Sequence, residues 1–460
     1  MVLVDTHAHI NFAKFKDDLD ATIAKAFNAD VKYILNIGTD LKTTQESVAL
    51  AKKYEAVYAA AGIHPTDAAE LDIDEAVNAI EAFLREDKVV AIGEVGLDYY
   101  HDAASHEEQK KLLRAFIKLQ KKASLPLILH VRDAYEDFFS ILNDEYGDGP
   151  VKGVVHCFSG NKDHLKKALD LGLYVSITGP VTYKKSDELR EIAYLIPDEK
   201  LLLETDCPFL APQKYRGQRN EPAYIRDLAE YIAELRGISL DDIARITTVN
   251  SNKLFGFPDV DLSPKAVYKI RDSIYVNVTQ SCSNACVFCV KFRDQLVKGY
   301  NLHLDKDPDA QTVIKEIRAY GGKDRKVVFC GLGEPFLRLD FIKEVATEIK
   351  KDGCTVRVDT NGHGALINKR NVLPELKGLV DSLCVSLNAP NAELYNKICT
   401  PAFEGNVFEA VCDFIREAKK YVPDVMVSYV DLPDVEPLAM EKLVAELGAD
   451  LRVRHYDVVG

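Results

Sequence analysis

The feature that most constrains this chain is a regular alternation over its first 210 residues. Short β-branched runs, "VKYILNIG", "KVVAIGEVGLD", "LPLILHV", "VKGVVHCF", "LYVSITG" and "KLLLETD", are separated by amphipathic stretches such as "HEEQKKLLRAFIKLQKKA". With "VLVDTHAH" and "EAVYAAAGIHP" there are eight strand candidates. Strands that each hand over to a helix predict a parallel α/β fold. Eight of them in about 250 residues predict a closed (β/α)8 barrel, with a doubly wound open sheet as the alternative. Two further helices, around "EPAYIRDLAEYIAELRG" and "SLDDIARITTVNSNKLFG", end at Gly256, so 1–256 reads as one domain.

"FPDVDLSPKAV" then brings two prolines and no periodicity, and 257–266 reads as a linker. From 267 to 460 six strand candidates, "SIYVNVTQ", "RKVVFCG", "TVRVDTNG", "SLCVSLN", "DVMVSYV" and "DLRVRHYDV", alternate with helices and predict a smaller, partial (β/α)6 barrel. The N-terminus lacks a basic stretch followed by an apolar run, and no segment reaches the roughly 18 apolar residues of a membrane helix, so a cytoplasmic protein without membrane contact is expected. A net charge of −14 argues against a broad surface that coats nucleic acid, and leaves narrow active-site recognition open. The acid is concentrated early: residues 1–258 carry 31 Lys+Arg against 42 Asp+Glu, the remainder 27 against 30. Ten cysteines in 460 residues are too few for a disulfide scaffold. Only Cys282, Cys286 and Cys289 cluster, and the other seven read as small buried hydrophobes.

In the first domain His7, His9, Glu94, His130, His156 and Asp206 all fall at the C-terminal ends of strand candidates, and in a barrel those ends converge on one mouth. His7 and His9 are two apart and leave the same face. Four imidazoles and two carboxylates suffice for two divalent ions (Mg, Mn or Zn), with a carboxylate such as Glu94 bridging; paired ions activate a water and hold both oxygens of a phosphoester displacement. Residues 1 to about 256 resemble the TatD family of metal-dependent nucleases, among the amidohydrolase-like TIM barrels, through "DTHAHINF", "GIHP", "GEVGLDYY", "LPLILHVRDA", "HCFSG", "SITGPVTYKK", "LLLETDCPFLAP", "YRGQRNEP" and "TTVNSNKLFG". The resemblance implies that His7, His9, Glu94 and Asp206 hold one ion and Glu94, His130 and His156 the other. It also implies that His64 and Arg132 face the substrate phosphate, and that nucleic-acid ends or small phosphoesters are the substrates. Glu204, two before Asp206 on the same face, is expected either to orient a ligand or water or to form a buried ion pair. Lys214, Arg216 and Arg219 read either as phosphate contacts or as a solvated charge run.

In "TQSCSNACVFCVKF" the three cysteines form a C-x3-C-x2-C run on the loop after an expected first strand. Structural zinc normally takes four protein ligands, and His303 lies too far on to complete the set. Three thiolates on an iron-sulfur cluster leave one iron open. The run, with Phe288 as its aromatic, resembles the radical SAM superfamily. This implies a 4Fe-4S cluster on Cys282, Cys286 and Cys289 whose open iron chelates S-adenosylmethionine, reductive cleavage to a 5'-deoxyadenosyl radical, and an electron donor such as flavodoxin or ferredoxin. "FCGLGEPFLR" resembles the superfamily's GGEP element, which implies that Gly333, Glu334 and Pro335 serve the cofactor, Glu334 by receiving the methionine ammonium. Asp359 or Asn361 in "VDTNGHG" is expected to reach cofactor or substrate, and Ser386 and Asn388 in "VSLNAPN" the ribose. The substrate of this half is not legible. The whole resembles TatD-associated radical SAM proteins: a bifunctional enzyme, with a hydrolase of another ester or an amide, carrying a zinc or iron-sulfur binding module, as the alternative.

Overall fold

The computed structural model describes residues 2–101, 103–292, 295–321 and 325–456. The chain divides into two compact units, Met1–Asp261 and Leu262–Gly460. In the first, β1 (Leu3–Ala8), β2 (Val31–Ile37), β3 (Val57–Ala61), β4 (Val89–Asp98), β5 (Leu127–Arg132), β6 (Gly153–Val155), β7 (Tyr174–Ile177) and β8 (Leu201–Leu203) pair in sequence order, every pair parallel. The ring closes just past β8, where the Asp206 amide donates to the His7 carbonyl (2.9 Å) and the His9 amide to the Cys207 carbonyl (2.8 Å). All eight expected strands are present and the closed barrel replaces the doubly wound alternative.

Strand alternation explains the core. Val4, Leu35, Ala60, Ala91, Ile128, Val154 and Leu202 form one cluster inside the barrel, while Ile34, Ala59, Ile92, Leu129, Val155 and Leu203 pack outward against the helices. Phe257, within the stretch expected to link the domains, is fully buried with its ring 5.4 Å from Tyr33 and 4.9 Å from Tyr58. It belongs to the cluster at the N-terminal ends of the strands. Gly96 keeps β4 against β5, because at its φ of 154° a Cβ would stand 1.9 Å from the His130 carbonyl oxygen.

The second unit is an open sheet. β10 (Ser273–Asn277), β13 (Lys326–Cys330), β14 (Thr355–Thr360), β15 (Ser382–Ser386), β16 (Asp424–Val430) and β17 (Asp450–Arg454) are parallel neighbours in that order. These are the six expected strands; the last two residues of "DLRVRHYDV" lie outside the described residues. An antiparallel edge strand, β9 (Val267–Ile270), pairs with β10 and was not expected. Its two-residue turn is Arg271–Asp272, with Arg271 left-handed at φ 54°, where turn chemistry usually shows a glycine or asparagine. A small hairpin, β11 (Leu296–Val297) and β12 (Tyr300–Asn301), follows the cysteine loop. Val327, Phe329, Val356, Val358, Leu383, Val385 and Val427 pack among the helices, and the alternate residues Cys330, Arg357, Asp359, Cys384 and Ser386 occupy the other face. Among the described residues no helix is long and apolar enough to cross a membrane.

Candidate metal centre and cysteine loop

Glu94 lies at the centre of the barrel mouth and its two oxygens face different partners. Oε2 is 3.4 Å from His7 Nε2 and 3.8 Å from His9 Nε2. Asp206 Oδ1 closes that group at 3.6 and 3.4 Å from the same two nitrogens. Oε1 is 2.7 Å from His130 Nδ1 and 2.8 Å from His156 Nε2. Four nitrogens and the oxygens of two carboxylates thus converge as hard and borderline donors of the kind divalent ions take, and His7, His9 and Glu94 form one compact triple. Burial alone would raise the Glu94 carboxyl; the surrounding His156 and His130 reverse this and hold it well below the usual range. The donor set fits two ions that share Glu94.

Outer contacts fix the imidazoles. His130 turns Nε2 to Asp98 Oδ2 at 3.1 Å, which leaves Nδ1 for Glu94. Asp98 is buried at the end of β4 and also accepts from the amides of Tyr100 and His101. Glu204, buried, accepts from the Cys157 amide (2.7 Å) and faces His156 Nδ1 at 3.5 Å. His64 has Nε2 3.6 Å from Glu94 Oε1, its ring against His130, and burial lowers it to about 4.

In the second unit the cysteine loop follows β10. Cys282 is exposed, and Cys286 and Cys289 are half-buried. Burial pushes the Cys282 thiol up to about 11 and raises Cys289 as well. Cys286 is raised by a hydrogen bond with buried Cys399, which no spacing in the sequence links to the run. Phe288 is half-buried against the core.

The GLGEP turn lies under this loop. Gly333 is required there, because a Cβ would come within 2.2 Å of the Ser281 carbonyl oxygen. Glu334 is 1% exposed. Its carboxylate accepts from Phe336 N (3.0 Å), Thr360 Oγ1 (2.7 Å) and Asn361 N (2.7 Å). These three donors fill about three of its four acceptor positions and brace the turn to the end of β14. Pro335 begins the short 3-10 helix Pro335–Arg338 and is buried. Asn361 joins this brace to the cysteine loop, its Nδ2 2.9 Å from Ser283 Oγ and 3.9 Å from Cys282 Sγ.

A model of the TatD related DNase family matches residues 4–256. The chain belongs to the TatD family. Among relatives, the metal-dependent hydrolase YabD of Bacillus subtilis is 41% identical over 254 residues, covering 55% of this chain and 99% of that protein. The 3'-5' ssDNA/RNA exonuclease TatD of Salmonella typhimurium is 36% identical over 258 residues, covering 55% and 98%. The crystal structure of YJJV, a TatD homologue from Escherichia coli, matches with a TM-score of 0.52 at 33% identity, covering 56% of this chain and 98% of that one. A model of the radical SAM superfamily matches residues 276–447. A TatD-type metal-dependent hydrolase domain is therefore fused to a radical SAM domain.

The other candidate residues around the TatD mouth have partners within the fold. Lys214 pairs with Asp227 (2.7 Å), and Arg219 with both oxygens of Asp18 (2.7 and 2.6 Å). Arg216 stacks over Tyr183 and Arg132 over Tyr100, the latter with its guanidinium carbon 3.8 Å from the ring centroid. In the radical SAM domain Asp359 is paired with Arg357 (2.8 Å). Ser386 meets Ser428 (3.4 Å), and Asn388 adopts φ 62° with its amide 3.3 Å from the Ser386 carbonyl. Asp98 was missed in the sequence; its one signal was an acid at the same strand end as Glu94.

Proposed function

We propose that the TatD domain hydrolyses phosphoesters at nucleic-acid ends with two divalent ions (Mg, Mn or Zn), and that the radical SAM domain reductively cleaves S-adenosylmethionine at a 4Fe-4S cluster. The observation that carries the first half is the division of Glu94, one oxygen toward His7 and His9 and the other toward His130 and His156. His7, His9, Glu94 and Asp206 would hold one ion, and Glu94, His130 and His156 the other. Two ions so held supply a water of lowered pKa and positive charge beside the phosphorus. The chain orients that reaction through Asp98 and Glu204, which fix the ring nitrogens of His130 and His156. His64 and Arg132, at the rim of the mouth, offer a hydrogen-bond donor and a guanidinium to phosphate oxygens. Similarity to the 3'-5' ssDNA/RNA exonuclease TatD of Salmonella typhimurium supports this substrate class.

For the second half, support comes from the superfamily match together with the C-x3-C-x2-C run, whose three thiolates would each hold one iron and leave the fourth open. Such a cluster supplies one electron to the sulfonium. Asn361, Ser283 and Glu334 keep the loop beside the GLGEP turn, where Gly333 lets the turn pack directly against the Ser281 and Thr279 carbonyls. An electron donor of the flavodoxin or ferredoxin class is implied. Anaerobic preparation should give a brown protein containing iron and sulfide, which forms 5'-deoxyadenosine from S-adenosylmethionine. Colour and product should vanish in Cys286→Ala, whereas stoichiometric zinc without iron would refute the reading. Asp206→Asn should nearly abolish metal-dependent cleavage of a labelled oligonucleotide; retained cleavage would refute the ligand set.

A further inference from the structure

We propose that the sheet face of the radical SAM domain opposite its helices is an oxyanion site, in which the guanidinium groups of Arg357, Arg452 and Arg454 hold a phosphate group of that domain's substrate. That the occupant is the substrate rests on the radical SAM reading above. In the first unit the inward strand positions, Leu35, Ala91 and Ile128 among them, are apolar and fill the barrel. The equivalent face of the second sheet carries long cations and short side chains instead. Arg357 lies on β14 and Arg452 and Arg454 on β17, with β15 and β16 between them. The intervening strands present Cys384 and Ser428, short enough for the guanidiniums to converge above them. Arg454 Nη2 is 3.8 Å from Cys384 Sγ and 3.9 Å from Asp359 Oδ2, and Arg357 Nε is 2.8 Å from Asp359 Oδ1. Arg452, two before Arg454 and opposite Ser428, shares the face. All three arginines are half-buried, so solvent reaches it.

Charge decides the class of ligand. Asp359 is the one carboxylate against these guanidiniums among the described residues; Asp424 and Asp450 are exposed at the opposite ends of their strands. Three positive charges against one negative leave two without a counter-charge. Arg454 Nε is buried without a hydrogen-bond partner, and Arg452 has no partner among the described residues. Charges withdrawn from water require pairing. The planar guanidinium offers parallel N–H donors that match the oxygens of a carboxylate or a phosphate. A phosphomonoester carries close to two negative charges at neutral pH and closes the balance, which a single carboxylate leaves half open.

The test uses the full chain treated with EDTA, so that the TatD centre holds no divalent ion, and equilibrium dialysis against radiolabelled inorganic phosphate. Phosphate should bind, and Arg357→Gln and Arg454→Gln should each weaken that binding about tenfold or more, the worth of one charged hydrogen bond. Asp359→Asn releases both guanidiniums from their internal partner and should instead tighten binding by about fivefold, a gain that no folding defect produces. Acetate should displace the phosphate only weakly. Absence of phosphate binding, binding unchanged in both arginine variants, weaker binding in Asp359→Asn, or acetate as effective as phosphate would overturn the proposal. On the anaerobically reconstituted chain S-adenosylmethionine should leave the phosphate in place; its displacement would assign the arginines to the cofactor and overturn the proposal as well. Formation of 5'-deoxyadenosine is scored separately. Arginine-dependent phosphate binding without it leaves the anion site standing and removes the radical reaction, and its formation without such binding does the reverse.

Discussion

Glu94 and His130 meet at 2.7 Å through Oε1 and Nδ1, while the other Glu94 oxygen faces His7. A carboxylate can serve two cations at once because both oxygens carry charge; an amide cannot. Glu94→Gln should therefore lower bound divalent metal from two ions per chain to one or fewer, measured by elemental analysis. Phosphodiester hydrolysis should fall about 100-fold or more, since even outer partners of metal ligands are worth 10–100-fold.

Asp98 touches the centre only through His130 Nε2. Asp98→Asn keeps the shape and removes the charge that makes the imidazole a better donor. The expected result is a loss of roughly 10–100-fold in metal affinity. Competition with a chelator of known affinity measures it; unchanged affinity would count against a positioning role.

Gly333→Ala places a methyl within 2.2 Å of the Ser281 carbonyl and 2.5 Å of the Thr279 carbonyl. Backbone atoms cannot rotate away, so the cysteine loop must shift. A destabilisation of about 1–3 kcal/mol is expected, typical of overpacking. Calorimetry should show it, together with lower iron and sulfide content after anaerobic reconstitution.

His363 is fully buried between Ser283 and Tyr395, and burial lowers its pKa from 6.5 to about 4. Between those values the unfolded chain takes up a proton that the fold excludes. Stability of the radical SAM unit should accordingly fall as pH drops from 6.5 toward 4, by up to about 3 kcal/mol. His363→Gln should flatten that slope. Calorimetry of the full chain as a function of pH reads it, and because the protein has no tryptophan, near-ultraviolet signals report its tyrosines.

Much of the fold was legible because alternation and strand ends are local properties. "KVVAIGEVGLD" reads as a strand with an acid at its mouth end whatever surrounds it. β9 was not legible, since four residues and an Arg–Asp turn carry no usual hairpin signature. Lys214 and Arg219 looked available in "KYRGQRNEP", and only folding brings Asp227 and Asp18 to them. Cys399 likewise meets Cys286 across 113 residues of chain.

By itself the sequence determined which donors gather, because residues at the C-terminal ends of parallel strands must share one mouth once the barrel closes. Only the tertiary structure decided how they divide: which Glu94 oxygen faces which histidines, that Asp98 stands behind His130, and that Glu334 turns inward to Thr360 and Asn361. Those choices depend on strand register and on rotamers packed between neighbouring strands, quantities of a few tenths of an ångström that residue spacing along a chain does not carry.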